Sequence, residues 1–235
     1  AGSSQYMSTM PQSGPKHPDV ARQRLIGIGL MMVAFLLFSM LDTTAKWLNH
    51  HIPTPQTVWA RYTFSVLFVL IVINPKTKPD VLKTKKPVMQ FWRSMFLFIS
   101  TLLNFIAINY LQLSQTISIA FAAPLIVALL SGPMLGEYVS RDRLLAILIG
   151  FAGVLVVARP GFGGIHPVAI LSIIGVVCYA LYVVMTRHLA AHDSTETTLV
   201  YSGMVGAVLL TPAMFFMWQD PPDLFTFGMM AALGI

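Results

Sequence analysis

The chain has little charge. Only 10% of its 235 residues are Asp, Glu, Lys or Arg, and just nine are acidic, against about 25% charged residues in soluble domains. With 56% hydrophobic residues and a mean hydropathy of +0.72, too little polar surface remains to clothe a soluble core. Cysteine is nearly absent: Cys178 stands alone in an apolar run, so no intrachain disulfide forms. The alternation of apolar and polar residues that marks membrane β-strands is missing, which excludes a barrel. Motifs of intramembrane hydrolases are missing too. The sequence has no His-Glu-x-x-His and no Gly-x-Ser-x-Gly, and Asp42 is the one acid well inside an apolar run, too few for an aspartyl dyad.

Long apolar runs are present instead. A helix needs roughly 20 apolar residues to cross about 30 Å of hydrocarbon. The sequence predicts spans at 25–48, 57–73, 91–111, 116–135, 143–158, 167–185 and 197–218, with an eighth starting at Leu224 and cut off at Ile235. Breakers separate them: Pro53 and Pro55, Asn74-Pro75, Pro160-Gly161, and Pro221-Pro222. Residues 1–24, rich in Ser, Pro, Gly and Gln, read as a disordered cytoplasmic tail.

The net charge of +6 follows from membrane topology rather than nucleic-acid binding, because the cations sit in short connecting loops. With the N-terminus cytoplasmic, twelve of the fifteen Lys and Arg lie inside, among them Lys83, Lys85, Lys86 and Arg93. Lys46, Arg61 and Arg159 fall at outer ends. Trp47, Trp59 and Trp218 then mark the outer interface and Trp92 the inner one.

The chain also repeats itself. Laying Lys46 on Arg187 puts Phe38 on Tyr179, Leu41 on Tyr182 and Leu48 on Leu189, and nearly the same offset sets Thr57 on Thr197 and Arg61 on Tyr201. Five spans separate the copies. Five is odd, so the second copy enters the membrane upside down. Inverted repeats of this kind build alternating-access transporters, with the site near midplane between them. The expected fold is an all-α polytopic membrane bundle of two inverted five-helix repeats, over 25–160 and 165–235. It would have ten spans when intact, of which about seven and a half are present.

The stretch Pro124-Leu-Ile-Val-Ala-Leu-Leu-Ser-Gly-Pro133-Met-Leu-Gly136-Glu137 resembles the fourth helix of EamA-type proteins of the drug/metabolite transporter superfamily. Residues 143–161, with Gly150, Gly153 and Arg159-Pro160-Gly161, are similar to that family's fifth helix and its exit. Val177-Cys-Tyr-Ala-Leu-Tyr182 is similar to the start of its second repeat. The resemblance implies a ten-helix transporter of small solutes in a bacterial-type inner membrane, neither an enzyme nor a cofactor protein. It leaves the substrate open, as the sequence leaves open the oligomeric state.

Candidate substrate contacts are the polar residues that an apolar span does not need. Asp42 lies about 17 residues into the first span, in its outer third at about 1.5 Å per residue. A membrane acid costs about 2.5–3.5 kcal/mol on insertion scales and faces a bundle interior or an aqueous cavity. It suits a substrate or a coupling proton or ion. The competing reading is a local ion pair with Lys46, one turn on. Arg61, one turn into the second span, suits Asp42 or an anionic solute group, or interfacial anchoring. Asn104, with Thr101 nearby, suits a solute or an interhelical hydrogen bond. Tyr179 and Tyr182 share a stripe of the sixth span with Gly175 and Thr186, and Tyr201 lies on the seventh beside Ser202. Such tyrosines offer a stacking face and a hydroxyl, or plain packing. Pro124 predicts a kink near the middle of the fourth span, either a hinge or ion contact or a static structural kink. Glu137 and Arg141 are spaced for an ion pair, while His188, His192 and Asp193 lack a third helical ligand, so no metal is expected.

Overall fold

The computed structural model describes residues 18–73, 79–158 and 167–234. All regular structure there is helical: α1 (Pro18–Leu48), α2 (Thr54–Ile73), a 3₁₀ turn (Pro79–Leu82), α3 (Pro87–Tyr110), α4 (Leu113–Ala120), α5 (Ala123–Leu135), α6 (Arg141–Ala158), α7 (Ala169–Leu189), α8 (Thr195–Met217) and α9 (Leu224–Ala232). Helix α1 takes in residues 18–24, which the sequence assigned to the tail; the rest of that stretch, and the turn at Pro160–Gly164, lie outside the described residues.

Six of these stretches are long and apolar enough to cross a membrane, with α4 and α5 counting together as Leu113–Leu135. The protein is thus a multi-pass helical membrane protein. The predicted fifth span is α6, whose 18 residues open with Arg141, Asp142 and Arg143 and so fall short of a wholly apolar crossing. The predicted fourth span is broken where proline demands it. Phe121 and Ala122 interrupt the helix, and Pro124 sits in the first turn of α5, where its missing N–H costs nothing.

Two compact units emerge, one ending at Met40 and one running from Leu41 onward. The first contains the apolar body of α1. The second contains the last turns of α1 and all later helices. Within it α3 packs on α7 and α8, and α2 on α8 and α9, while α5 and α4 lie against α7. Small residues set the closest approaches: a Cβ on Gly206 would collide with the Tyr62 ring, and one on Gly203 with Val66. These two glycines let α8 lie directly on α2. Local chemistry ends the helices. Ser194 caps α8 by accepting from the Thr197 N–H at 3.1 Å, and Asp223 caps α9 through the Thr226 N–H at 2.7 Å. Gly136 closes α5 in the left-handed region at φ 70°.

The second unit has two polar ends. At one, Lys46 Nζ donates to the Leu111 carbonyl at 3.1 Å, and Trp59 stacks edge-on against Trp218 at 5.6 Å. The Gln56 amide there clamps the Gln219 backbone, donating to its carbonyl at 2.8 Å and accepting from its N–H at 3.0 Å. At the other end, Asp193 accepts from the Thr84 hydroxyl, from the Lys85 N–H at 3.0 Å and from Gln90 Nε2 at 2.9 Å. The main apolar core lies toward the tryptophan end, built around Leu48, Val58, Phe105, Ile108 and Met230.

Candidate functional site

Asp42 lies in the last two turns of α1. Its Oδ1 accepts from Asn104 Nδ2 of α3 at 3.2 Å. Lys46, the alternative partner, is turned away toward Leu111, so the local ion pair read as an option in the sequence is not made. The next residue on α3, Phe105, is fully buried, and Arg61 of α2 holds its guanidinium 5.6 Å from the centre of that ring. Asp42 and Arg61 are therefore held by consecutive residues of one helix, and each lies in the other's field. Neither forms an ion pair among the described residues.

Tyr62 on α2 is buried and donates to Thr101 Oγ1 at 2.9 Å and to the Leu97 carbonyl at 3.2 Å. Tyr179 and Tyr182, one turn apart on α7, tilt together with centroids 5.8 Å apart. Of the candidate residues, Asp42 and Asn104 are joined across α1 and α3, Arg61 of α2 sits against the next residue of α3, and Tyr179 and Tyr182 lie together on α7, Tyr182 beneath Arg93. Tyr201 is engaged elsewhere: its hydroxyl donates to the Leu82 carbonyl at 3.1 Å and ties α8 to the 3₁₀ turn.

Arg93 is the residue that sequence reasoning missed, having counted it among the loop cations. It is fully buried on α3. Its Nε donates to Gln90 Oε1 at 3.1 Å, and its Nη1 to Thr186 Oγ1 at 3.3 Å. Its Nη2 donates to the Thr198 carbonyl and to Ser202 Oγ, both at 2.7 Å. The guanidinium also lies 5.3 Å from the centre of the Tyr182 ring. All four acceptors are neutral, and they come from α3, α7 and α8. Gln90 passes the connection outward to Asp193. Burial works to raise the pKa of that acid. The hydrogen bonds from Thr84, Lys85 and Gln90, with the charge of His192, outweigh it and hold the carboxylate below its usual range.

One expected surface contact changes partner. Glu137 pairs with Arg187 at 2.6 Å rather than with Arg141, because the chain leaves helix at Gly136 and the i,i+4 geometry is lost. His188 and His192 stack at 5.6 Å, and His188 Nε2 meets Lys86 Nζ at 3.4 Å. No cluster of three His, Cys, Asp or Glu suited to a metal occurs among the described residues.

Comparison with known proteins places these features in context. Residues 25–159 match the EamA-like transporter family. A protein of Rickettsia bellii named as an S-adenosylmethionine uptake transporter is 23% identical over 216 residues, covering 92% of this chain and 74% of its own length. A riboflavin transporter of Vibrio cholerae is 26% identical over 212 residues, covering 86% and 69%. A pseudopaline exporter of Pseudomonas aeruginosa is 23% identical over 211 residues, covering 89% and 73%. A protein of known crystal structure shares the fold at a TM-score of 0.61 and 22% identity, over 83% of this chain and 73% of its own.

Proposed function

The chain belongs to the EamA-like transporter family, and from that premise we propose that it is a secondary transporter of a small organic metabolite, working by alternating access between two inverted repeats. One observation carries the proposal. Asp42 of α1 and Asn104 of α3 are joined by a hydrogen bond, Arg61 of α2 rests on the next residue of α3, and Tyr179 and Tyr182 pair on α7, all on helices long and apolar enough to cross a membrane. Polar groups gathered at that depth cost insertion energy, and a solute path is the use that repays it.

Part of the helix pairing supports the inverted repeat, although α3–α7, the most extensive pairing, has no counterpart of similar extent between α1 and α9 among the described residues. A two-fold relation that sends the first three spans onto the sixth to eighth exchanges α2 with α8 and α3 with α9. The α2–α8 contact then maps onto itself, and the α3–α8 contact maps onto α2–α9; all three pairings occur. The polar clamps correspond as well, one joining the start of α2 to the end of α8, the other joining the start of α8 to the turn after α2. The distribution of Lys and Arg supports a cytoplasmic N-terminus in an inner membrane.

The relatives are named for an uptake transporter, a vitamin transporter and an exporter, so the solute and the direction are matters for assay. The test is uptake by the full-length protein in liposomes, screened against amino acids, nucleosides and vitamins. Saturable uptake that falls at least about tenfold in Asp42→Asn supports the proposal. Flux linear in concentration would favour a channel and overturn it, and undiminished transport in the variant would remove Asp42 from the path.

A further inference from the structure

The polar end that holds Asp193 also holds a lysine with no acid beside it. Lys86 directly precedes α3, and its Nζ lies 3.4 Å from Nε2 of His188, in the last turn of α7. An ammonium only donates, so His188 accepts there as a neutral ring with its proton on Nδ1. His188 therefore aims the Lys86 charge without neutralising it. The Lys86 backbone is pinned as well, its N–H donating to Thr84 Oγ1 at 3.1 Å. His192 stacks on His188 and sends its Nδ1–H to the His188 carbonyl at 3.2 Å, which backs that ring. Acids bound to the neighbouring residues are spent. Asp193 gives both oxygens to Thr84, the Lys85 N–H and Gln90, and Glu137 is paired with Arg187. Among the described residues neither Lys86 nor His188 has an acidic partner. One of the three ammonium N–H groups goes to His188, and two remain. Lys85, one residue before, is exposed and adds positive charge at the same end.

We propose that Lys86, aimed by His188, binds the phosphodiester of an anionic phospholipid headgroup. The inference goes beyond the solute path and stands whether or not the chain moves a solute. Charge selects the ligand. A fixed cation without a carboxylate calls for an anion, and phosphate oxygens accept the donors that a lysine offers. Position selects the source. Helices α3 and α7 are both long and apolar enough to cross a membrane, and Lys86 and His188 stand together at one end of the two. Headgroups lie at that level, just outside the hydrocarbon, and basic residues beside a span attract the anionic ones. Trp92, exposed on α3 six residues further in, is an aromatic of the kind that marks this boundary. A zwitterionic lipid brings its own cation, which Lys85 and Lys86 repel.

Native mass spectrometry of the full-length protein in detergent tests this, with phosphatidylglycerol or phosphatidylcholine of equal chain length added. Phosphatidylglycerol is expected to bind about fivefold or more tightly, as one cation near an anionic headgroup supports. Lys86→Gln should abolish the preference, and Lys86→Arg, which keeps the charge, should retain it. His188→Leu should weaken the preference, while His188→Gln, whose amide oxygen accepts from the ammonium, should restore it; this pair decides the matter should Lys86→Gln fail to fold. Arg143→Gln, which removes a cation of α6 outside the cluster, should leave the preference intact. Equal binding of the two lipids, a preference that survives Lys86→Gln or His188→Leu, or an equal loss in Arg143→Gln would each overturn the proposal. Displacement of phosphatidylglycerol by millimolar inorganic phosphate would overturn it too, by assigning the site to a free anion.

Discussion

Two arginines on neighbouring helices of the same bundle live in opposite circumstances. Arg93 is sealed from solvent and directs its guanidinium at four neutral acceptors and one ring. Arg61 is half-buried, rests on the Phe105 ring and points no donor at protein among the described residues. The difference separates structure from function in a membrane helix. A buried cation with four of its five donors answered by protein joins helices, while one with its donors idle is poised to receive something.

Removing Arg93 should give the largest effect. Arg93→Ala leaves the Thr198 carbonyl, Gln90 Oε1 and the hydroxyls of Thr186 and Ser202 without their donor and opens a void between α3, α7 and α8. A loss of about 3 kcal/mol or more is expected, read as collapse of the monodisperse peak in detergent or a steep fall in melting temperature. A well-folded Arg93→Ala protein would break the comparison.

Asp193 tests how far the Arg93 network extends. Asp193→Asn removes the charge that receives Thr84, Lys85 and Gln90, and should lower melting by about 2–4 °C near neutral pH. The folded pKa is depressed, so the contribution is present above the ordinary carboxylate range and is lost as pH falls through the folded value. The gap between wild type and variant should close below about pH 4 in thermal melts. A gap that widened in acid would show that another group holds the turn.

The smallest effect on stability belongs to Arg61. Arg61→Gln should change melting by less than about 2 °C, since it gives up one ring contact and no hydrogen bond to protein. The same variant should lose solute recognition. Equal destabilisation by Arg61→Gln and Arg93→Gln would erase the distinction.

The sequence singled out Asp42, Arg61 and Asn104 because a polar side chain in an apolar run stands out, and it marked a kink at Pro124, which lacks an N–H, where the fourth span is in fact interrupted at Phe121 and Ala122. Arg93 gave no such signal. It lies seven residues after Lys86, close enough to a basic cluster to read as one more interfacial cation. Gln90, one turn before it, was the available clue, since an amide and a guanidinium on one helix face ask for acceptors. Those acceptors lie on α7 and α8, about a hundred residues away, and only the folded chain brings them there. The partner of Glu137 was hidden for the same reason: Arg187 is distant in sequence, whereas Arg141 is near. The freedom of Asp42 from Lys46 was also illegible, because it depends on Lys46 turning to the Leu111 carbonyl.

The Gln56 clamp has a consequence for how the protein meets its surroundings. Both of its bonds join uncharged groups. Dissolved electrolyte, which screens contacts between exposed charges over about 8–10 Å, has no purchase on an amide pair. The end fastened by Gln56 should therefore hold equally in dilute and briny media. Ionic strength would be felt at the opposite face, where Glu137 meets Arg187 in the open.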